Sequence, residues 1–364
     1  MKTRAFVSVL VGLLGFVWMG TANAVPSFAK KYEKTCSSCH TAWPQLNKAG
    51  RMFKEAGYKF IGGADKDQTI GDIKWDKIPP ITAILVSRPY DKKSNGDAKM
   101  RALHEIELVV AGRYTNNISG YFELEMEDET IDVPVTGTGL PPDAVATIPA
   151  FNWVIMPHGA ATYHVSKAVN VQVAWAPLHW ADPYDTYAGN RTLTKSGLAS
   201  GEKLGGSRQM VSVYGRPMNN LFYNIGIAGA DGDAEGEAPG TSIVRVAYDV
   251  TNDIMVGGLA VSESGVSNTG LDVQADIADM RVSGTYLTGS GTTTTSLQAM
   301  YVAKDDNKKP TWVPLVRIDQ DTAGVNATTL NLGYYFTSNA KGFLEFYSKP
   351  GSPDRVILQF VTAF

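Results

Sequence analysis

After its first two dozen residues the chain has no apolar run of the roughly 18–20 residues that a membrane-crossing helix needs. That excludes a helical membrane protein; it does not exclude a strand barrel. No Gly-rich phosphate loop, zinc-ligand cluster or nucleophile elbow occurs, so the chemistries those motifs mark have no carrier here. Charge is close to balanced, 33 Lys and Arg against 36 Asp and Glu, and nothing in it points to nucleic acid as a partner. Cysteine is scarce. The 364 residues hold two, and both fall within one pentapeptide.

That pentapeptide is Cys36-Ser37-Ser38-Cys39-His40. Two thiols three positions apart reach the two vinyl groups of one porphyrin, and the histidine that follows reaches the iron as its proximal ligand. The spacing therefore predicts one covalent haem c on Cys36 and Cys39 with His40 on the metal. A redox or disulfide C-x-x-C is the other reading. It lacks the βαβ setting such a motif needs and leaves His40 without a role.

Residues 1–24 read as a secretory signal. Lys2 and Arg4 give the charged start, Phe6 to Trp18 the apolar run, and Ala22-Asn23-Ala24 the small-residue cleavage site. Export suits the motif, because c-type haem is attached outside the bacterial cytoplasm. Residues 25–60 form the haem segment, with seven basic residues (Lys30, Lys31, Lys34, Lys48, Arg51, Lys54, Lys59) against Glu33 and Glu55. Residues 61–364 hold 24 basic and 34 acidic residues. A cationic head on an anionic body favours contact between the two or with an acidic partner, although the lysines also serve simply to solvate a small domain. Pro44 opens a predicted helix in which Leu46, Ala49, Phe53 and Ala56 recur at helical spacing, closed by Gly57. So short a segment does not build a core alone. The haem is expected to serve as core, with a second surface beside it.

After a linker, 61–79, the chain from 80 to 364 is strand and turn. Val244, Val246, Tyr248 and Val250 alternate with Arg245, Ala247 and Asp249; Leu330, Leu332, Tyr334 and Phe336 alternate with Asn331, Gly333 and Tyr335. The last stretch sets Val356, Leu358, Phe360, Thr362 and Phe364 on one face. A soluble sandwich alternates as well. Unequal connections, apolar faces with aromatic ends and a terminal phenylalanine favour a transmembrane antiparallel β-barrel of a Gram-negative outer membrane. About sixteen strands are expected, or fourteen if 271–288 is one long strand. Short turns at Asn116-Asn117, Ser166-Lys167, Thr251-Asn252 and Ser338-Asn339 all fall on the periplasmic side. The long connections 130–147, 177–207, 230–240 and 319–326 fall outside.

Glu105, Glu107, Glu123, Glu125 and Glu127 share one parity on two neighbouring strands and face the lumen. They could attract metal cations, hold the basic haem segment, or be an ordinary polar lumen. Asp231, Asp233, Glu235 and Glu237 alternate in a loop, but the glutamate that an EF-hand needs is replaced by Ser242. A solvated loop is the better reading. For the sixth iron ligand, Met52 lies in the haem segment and is equally suited to helix packing, while His104, His158, His164 and His179 could reach in from the barrel.

Val25-Pro26-Ser27-Phe28-Ala29, Cys36 to His40, Pro44-x-Leu46-Asn47, Gly50-Arg51-x-Phe53-Lys54 and Gly57-Tyr58 together resemble the fused monohaem cytochrome–porins of outer membranes, best known from iron-oxidising bacteria. The match is specific over about 35 residues and architectural over the barrel; Met100 to Pro177 also looks like phosphate-selective and related porins. The resemblance implies one haem on a small plug-like domain, a barrel of about sixteen strands, and electron transfer from an extracellular donor such as Fe(II) to a periplasmic c-type cytochrome. That would be an Fe(II):cytochrome c oxidoreductase type of activity without a catalytic residue beyond the haem ligands. Cys36, Cys39 and His40 carry over directly. The rival readings are a passive porin with an accessory haem domain, electron export rather than uptake, and a soluble haem protein with a β-sandwich.

Overall fold

The computed structural model describes residues 27–60, 67–70, 73–76, 81–134, 145–181, 193, 204, 206–230, 239–263, 265–289, 291–322, 324 and 326–364. The signal stretch 1–24 and the acidic loop at Asp231 to Glu237 lie outside the described residues.

The N-terminal segment, 27–60, holds helix α1 (Ser27–Tyr32), a short 3-10 turn (Cys36–Ser38), strands β1 (His40–Ala42) and β2 (Gln45–Leu46), and helix α2 (Lys48–Glu55). Strands β3 (Asp67–Ile70) and β4 (Ile73–Asp76) make a hairpin within the expected linker. Then come β5 (Ile81–Lys93), β6 (Lys99–Arg113), β7 (Ile118–Pro134), β8 (Val145–His164), β9 (Asn170–Pro177), β10 (Ser207–Met218), β11 (Leu221–Ala228) and β12 (Thr241–Asp249). The chain continues through β13 (Ile254–Glu263), β14 (Val266–Ile277), β15 (Met280–Gly289), β16 (Thr292–Tyr301), β17 (Trp312–Asp321), β18 (Asn326–Thr337), β19 (Ala340–Ser348) and β20 (Arg355–Ala363).

Strands β5 to β20 pair in sequence order, antiparallel throughout, and β20 closes on β5. The count is sixteen. The doubtful stretch 271–288 is two strands joined at Ala278 and Asp279, with Ala278 at φ 53°. Alternation has the expected cause. On β12, Ile243, Arg245, Ala247 and Asp249 are buried inward, whereas Val244, Val246 and Tyr248 stand about 40% exposed on the outer face. An apolar exterior of this kind suits lipid and would be costly in water. At the short-turn end Trp312, Tyr334, Phe336 and Phe360 form a run of ring contacts, one piece of an aromatic girdle.

One expectation needs correction. Helix α2 starts at Lys48, not at Pro44, because Asn47 caps it by accepting from the Gly50 N–H while Gln45–Leu46 pairs with His40–Ala42. Within the segment Phe53 packs among the half-buried rings of Phe28, Tyr32, Tyr58 and Phe60, with ring centroids 4.6–6.0 Å apart.

Candidate functional site

The C-x-x-C-H turn is built by its own backbone. Ser38 N–H donates to the Thr35 carbonyl and Cys39 N–H to that of Cys36, both at 3.0–3.1 Å. Asn47 ties the turn to α2: its N–H donates to the Cys39 carbonyl and its amide to the Ser37 and Ser38 carbonyls. Gly50 packs so closely on Cys39 that a Cβ there would stand 2.1 Å from the carbonyl oxygen. The Asn-x-x-Gly of the sequence is thus a device for holding the thiols.

Cys36 and Cys39 are unpaired thiols, both half-buried. Burial pushes Cys39 up to about 11 and raises Cys36 too, with the charge of Cys36 adding to the rise at Cys39. Redox C-x-x-C pairs work through lowered thiol pKa values, so this pair is unlike them. His40 Nδ1 lies 3.0 Å from the Pro44 carbonyl, which fixes the ring and assigns Nε2 as the nitrogen for a metal. Two thiols three positions apart and an oriented imidazole are the groups that a covalent haem requires, and the residues fit it. Met52 is half-buried on α2.

Other expected ligands have different occupations. His164 is held at both nitrogens, by Ser119 Oγ and Asn170 Oδ1, each at 2.7 Å. His104 Nδ1 is 2.7 Å from Asp128 Oδ1. His158 faces Glu123 at 3.9 Å. His179 lies in the 3-10 turn Leu178–Ala181; its side chain is outside the described residues.

The segment sits inside the barrel at the short-turn end, touching the wall around most of its circumference. Ser27 meets Thr82 on β5, and Arg113 on β6 donates to the Ala56 carbonyl at 2.9 and 3.1 Å. Arg216 on β10 grips Glu55 with two bonds of 2.8 and 2.9 Å and reaches Asp249 on β12 at 2.8 Å. Asp249 also receives Arg51 at 3.2 Å and Lys48 at 3.6 Å. Arg281 on β15 donates to Thr41 and the Leu46 carbonyl. Tyr335 on β18 and Lys341 on β19 both donate to the Trp43 carbonyl, with the Lys341 ammonium 3.7 Å from the Trp43 ring centroid.

The reading in which the lumen glutamates hold the basic segment is replaced by other contacts. Lys48 finds Asp249, Lys54 lies 5.7 Å over the Trp180 ring, and Glu107 and Glu125 meet no lysine or arginine among the described residues. Opposite net charge accounts for Lys48 and Arg51 on Asp249, while Glu55 on Arg216 runs the other way. The rest is wall Arg and Lys donating to carbonyls of the segment, which no charge count detects.

The lumen is also filled from the other side. Leu178, Ala181 and Leu204, in the connection between β9 and β10, are fully buried against Met210, Ile243, Leu259 and Leu287 of the inner wall. Leu193 N–H donates to Glu345 on β19 at 2.8 Å, on the far side of the ring of strands. This long connection was expected outside; its described residues Leu178–Ala181, Leu193 and Leu204 lie against the inner wall. Between it and α2 lies a cavity lined by Lys54, Tyr58, Tyr121, Trp180, Tyr214 and Asn224.

No protein-family model matches the chain, and no curated protein matches it. Among solved structures the barrel is similar to Salmonella typhi OmpF in complex with daunomycin, at 12% identity and TM-score 0.54, over 82% of this chain and all of that one. It is similar also to a triple mutant of the Rhodopseudomonas blastica porin, at 11% identity and TM-score 0.52, over 78% of this chain and 99% of that one. The molecule is a porin-like sixteen-strand β-barrel of the Gram-negative outer-membrane type.

Proposed function

We propose that this barrel is an outer-membrane electron-transfer protein that carries one covalent c-type haem on Cys36 and Cys39, with His40 as proximal ligand and Met52 as the candidate sixth ligand. The observation that carries the reading is the seating of the C-x-x-C-H segment within the lumen, fastened by Arg51, Glu55, Arg216 and Asp249. A barrel of this type crosses an apolar band about 25 Å tall, and a haem-bearing segment inside it shortens the distance between donor and acceptor. When bound, the haem supplies one-electron iron chemistry at a potential set by its axial ligands and burial. The chain itself holds the thiols and the imidazole in register, packs α2 behind them and obstructs the lumen. An extracellular donor such as Fe(II) and a periplasmic c-type cytochrome are the proposed partners, with electrons passing inward.

A second reading, a passive porin with an accessory haem segment, is favoured by the likeness to solved porins. Two measurements on one preparation separate the two. Haem peroxidase staining of denaturing gels is expected to persist in the native chain and to vanish in Cys36→Ala with Cys39→Ala. Planar-bilayer recording is expected to give far smaller conductance than an open sixteen-strand pore. Staining without the cysteines, or a freely conducting pore, would overturn the electron-transfer reading.

A further inference from the structure

Many acidic side chains of the described inner wall are matched by a cation. Asp249 has Arg51 and Arg216, Asp272 has Arg245, Asp276 has Arg281, Asp319 has Arg317, and Asp91 has Arg355. A group of described glutamates on β6 and β7 departs from this pattern. Glu107 stands directly opposite Glu125 and Glu105 opposite Glu127, a cross-strand arrangement of like charges that is destabilising unless something positive intervenes. Among the described residues no lysine or arginine forms an ion pair with Glu107, Glu123 or Glu125, and Glu105 has only the longer-range charge of Arg88 on β5. Glu123 is only 9% exposed, and its described bond is from the Tyr121 hydroxyl, which brings no charge.

An imidazole completes the group. The pairing of β7 with β8 shifts between Glu123 and Glu125: Glu123 faces His158, whereas Glu125 faces Val154. Such a bulge re-aims side chains, and here it sets His158 beside the two carboxylates. Ligating atoms of Glu123, Glu125 and His158 all lie within 4.8 Å of one another. Glu105, Glu107 and Glu125 meet the same limit, so Glu125 is shared by both sets. Oxygen and imidazole donors at that spacing can close on one cation with bonds of about 2.0–2.2 Å.

The position is equally specific. His158 packs on Trp180 with ring centroids 5.0 Å apart, and Trp180 on Tyr121 at 5.0 Å. Tyr121 packs on Tyr58 at 6.3 Å and Tyr58 on Phe53 at 6.0 Å, within the helix that backs Cys39. An unbroken line of rings thus runs from the carboxylates to the C-x-x-C-H segment. Glu123 stands two residues beyond Tyr121, about 7 Å further from the short-turn end.

We propose that Glu123, Glu125 and His158 form a site for one divalent transition-metal ion on the lumen wall, facing the space outward of the haem segment. Binding rests on the geometry alone; its service as the place where a metal donor waits rests on the electron-transfer reading above. Chemically, carboxylate with imidazole selects a first-row divalent ion over calcium or magnesium, which take oxygen ligands alone.

The test uses Mn(II) alone as probe, on the purified full chain in detergent micelles. Loss of the free-ion electron paramagnetic resonance signal counts bound metal, and spin-echo modulation detects a directly bound imidazole nitrogen. One Mn(II) per chain with nitrogen modulation is expected. Affinity should fall at least tenfold in Glu125→Gln and in His158→Gln, with the modulation gone in the latter, and stay at the native value in Glu345→Gln on β19, four strands from β7. Heat-modifiable gel mobility verifies that each variant is assembled; if one is not, the nitrogen modulation of the native chain decides by itself. Diffuse counter-ion binding without nitrogen modulation, or affinity unchanged in both site variants, would overturn the proposal and leave protons to neutralise the glutamates. The Cys36→Ala, Cys39→Ala chain is expected to bind Mn(II) like the native one, so loss of the haem reading and loss of the metal site are distinguishable.

Discussion

Asp249 is the residue on which the docked segment turns. It lies buried between Arg51 and Arg216, and Arg216 in turn holds Glu55. Replacing one member of such a set leaves buried charge without its partner, at a cost of about 3–5 kcal/mol. Asp249→Ala is therefore expected to loosen the segment while sparing the barrel, read as faster protease cleavage within 27–60 and unchanged heat-modifiable mobility. Equal cleavage rates in the two proteins would remove these ion pairs from the docking. The thiols give a second expectation. With Cys39 raised from the usual 9 to about 11, the thiolate fraction at pH 8 drops about a hundredfold, since reactivity follows the thiolate. In chain prepared without haem, iodoacetamide should alkylate Cys39 correspondingly slowly and accelerate as pH rises toward 11. Sequence made Asn47, Gly50 and Arg51 visible as motif positions, yet Arg51 meets its partner 198 residues away. Asp249 looks like any inward polar residue of a strand, so nothing in the sequence marked it.

Strands were the most legible elements, because a closed barrel with lipid outside and a filled lumen inside forces alternation onto every one of them. Even β14 and β15, whose tight junction at Ala278 hides the turn from composition, kept opposite faces in register. The helix was read four residues too long at its start, since Pro44 resembles a helix opener while its carbonyl is engaged by His40. The β9–β10 connection carries no alternation, and its apolar Leu178 and Leu204 gave no sign of burial inside the lumen. At the seam, Phe364 N–H donates to the Ala83 carbonyl on β5 at 2.8 Å, just past the pairing of β20 with β5. Deleting Phe364 should lower the yield of folded barrel in the outer membrane while export continues. Unchanged yield and mobility would show that the last residue has no part in assembly.

At the scale of the whole molecule, the lumen is occupied from both ends: by the C-x-x-C-H segment at the short-turn side and by the β9–β10 connection from the other. A lumen obstructed in this way suits the proposed role of moving electrons rather than solutes. The most direct measurement places the purified protein in lipid vesicles with ferricytochrome c trapped inside and dithionite added outside. Reduction of the trapped cytochrome is predicted in vesicles carrying the native chain and not in those carrying Cys36→Ala with Cys39→Ala. No reduction in the first case, or the same rate in both, would contradict it.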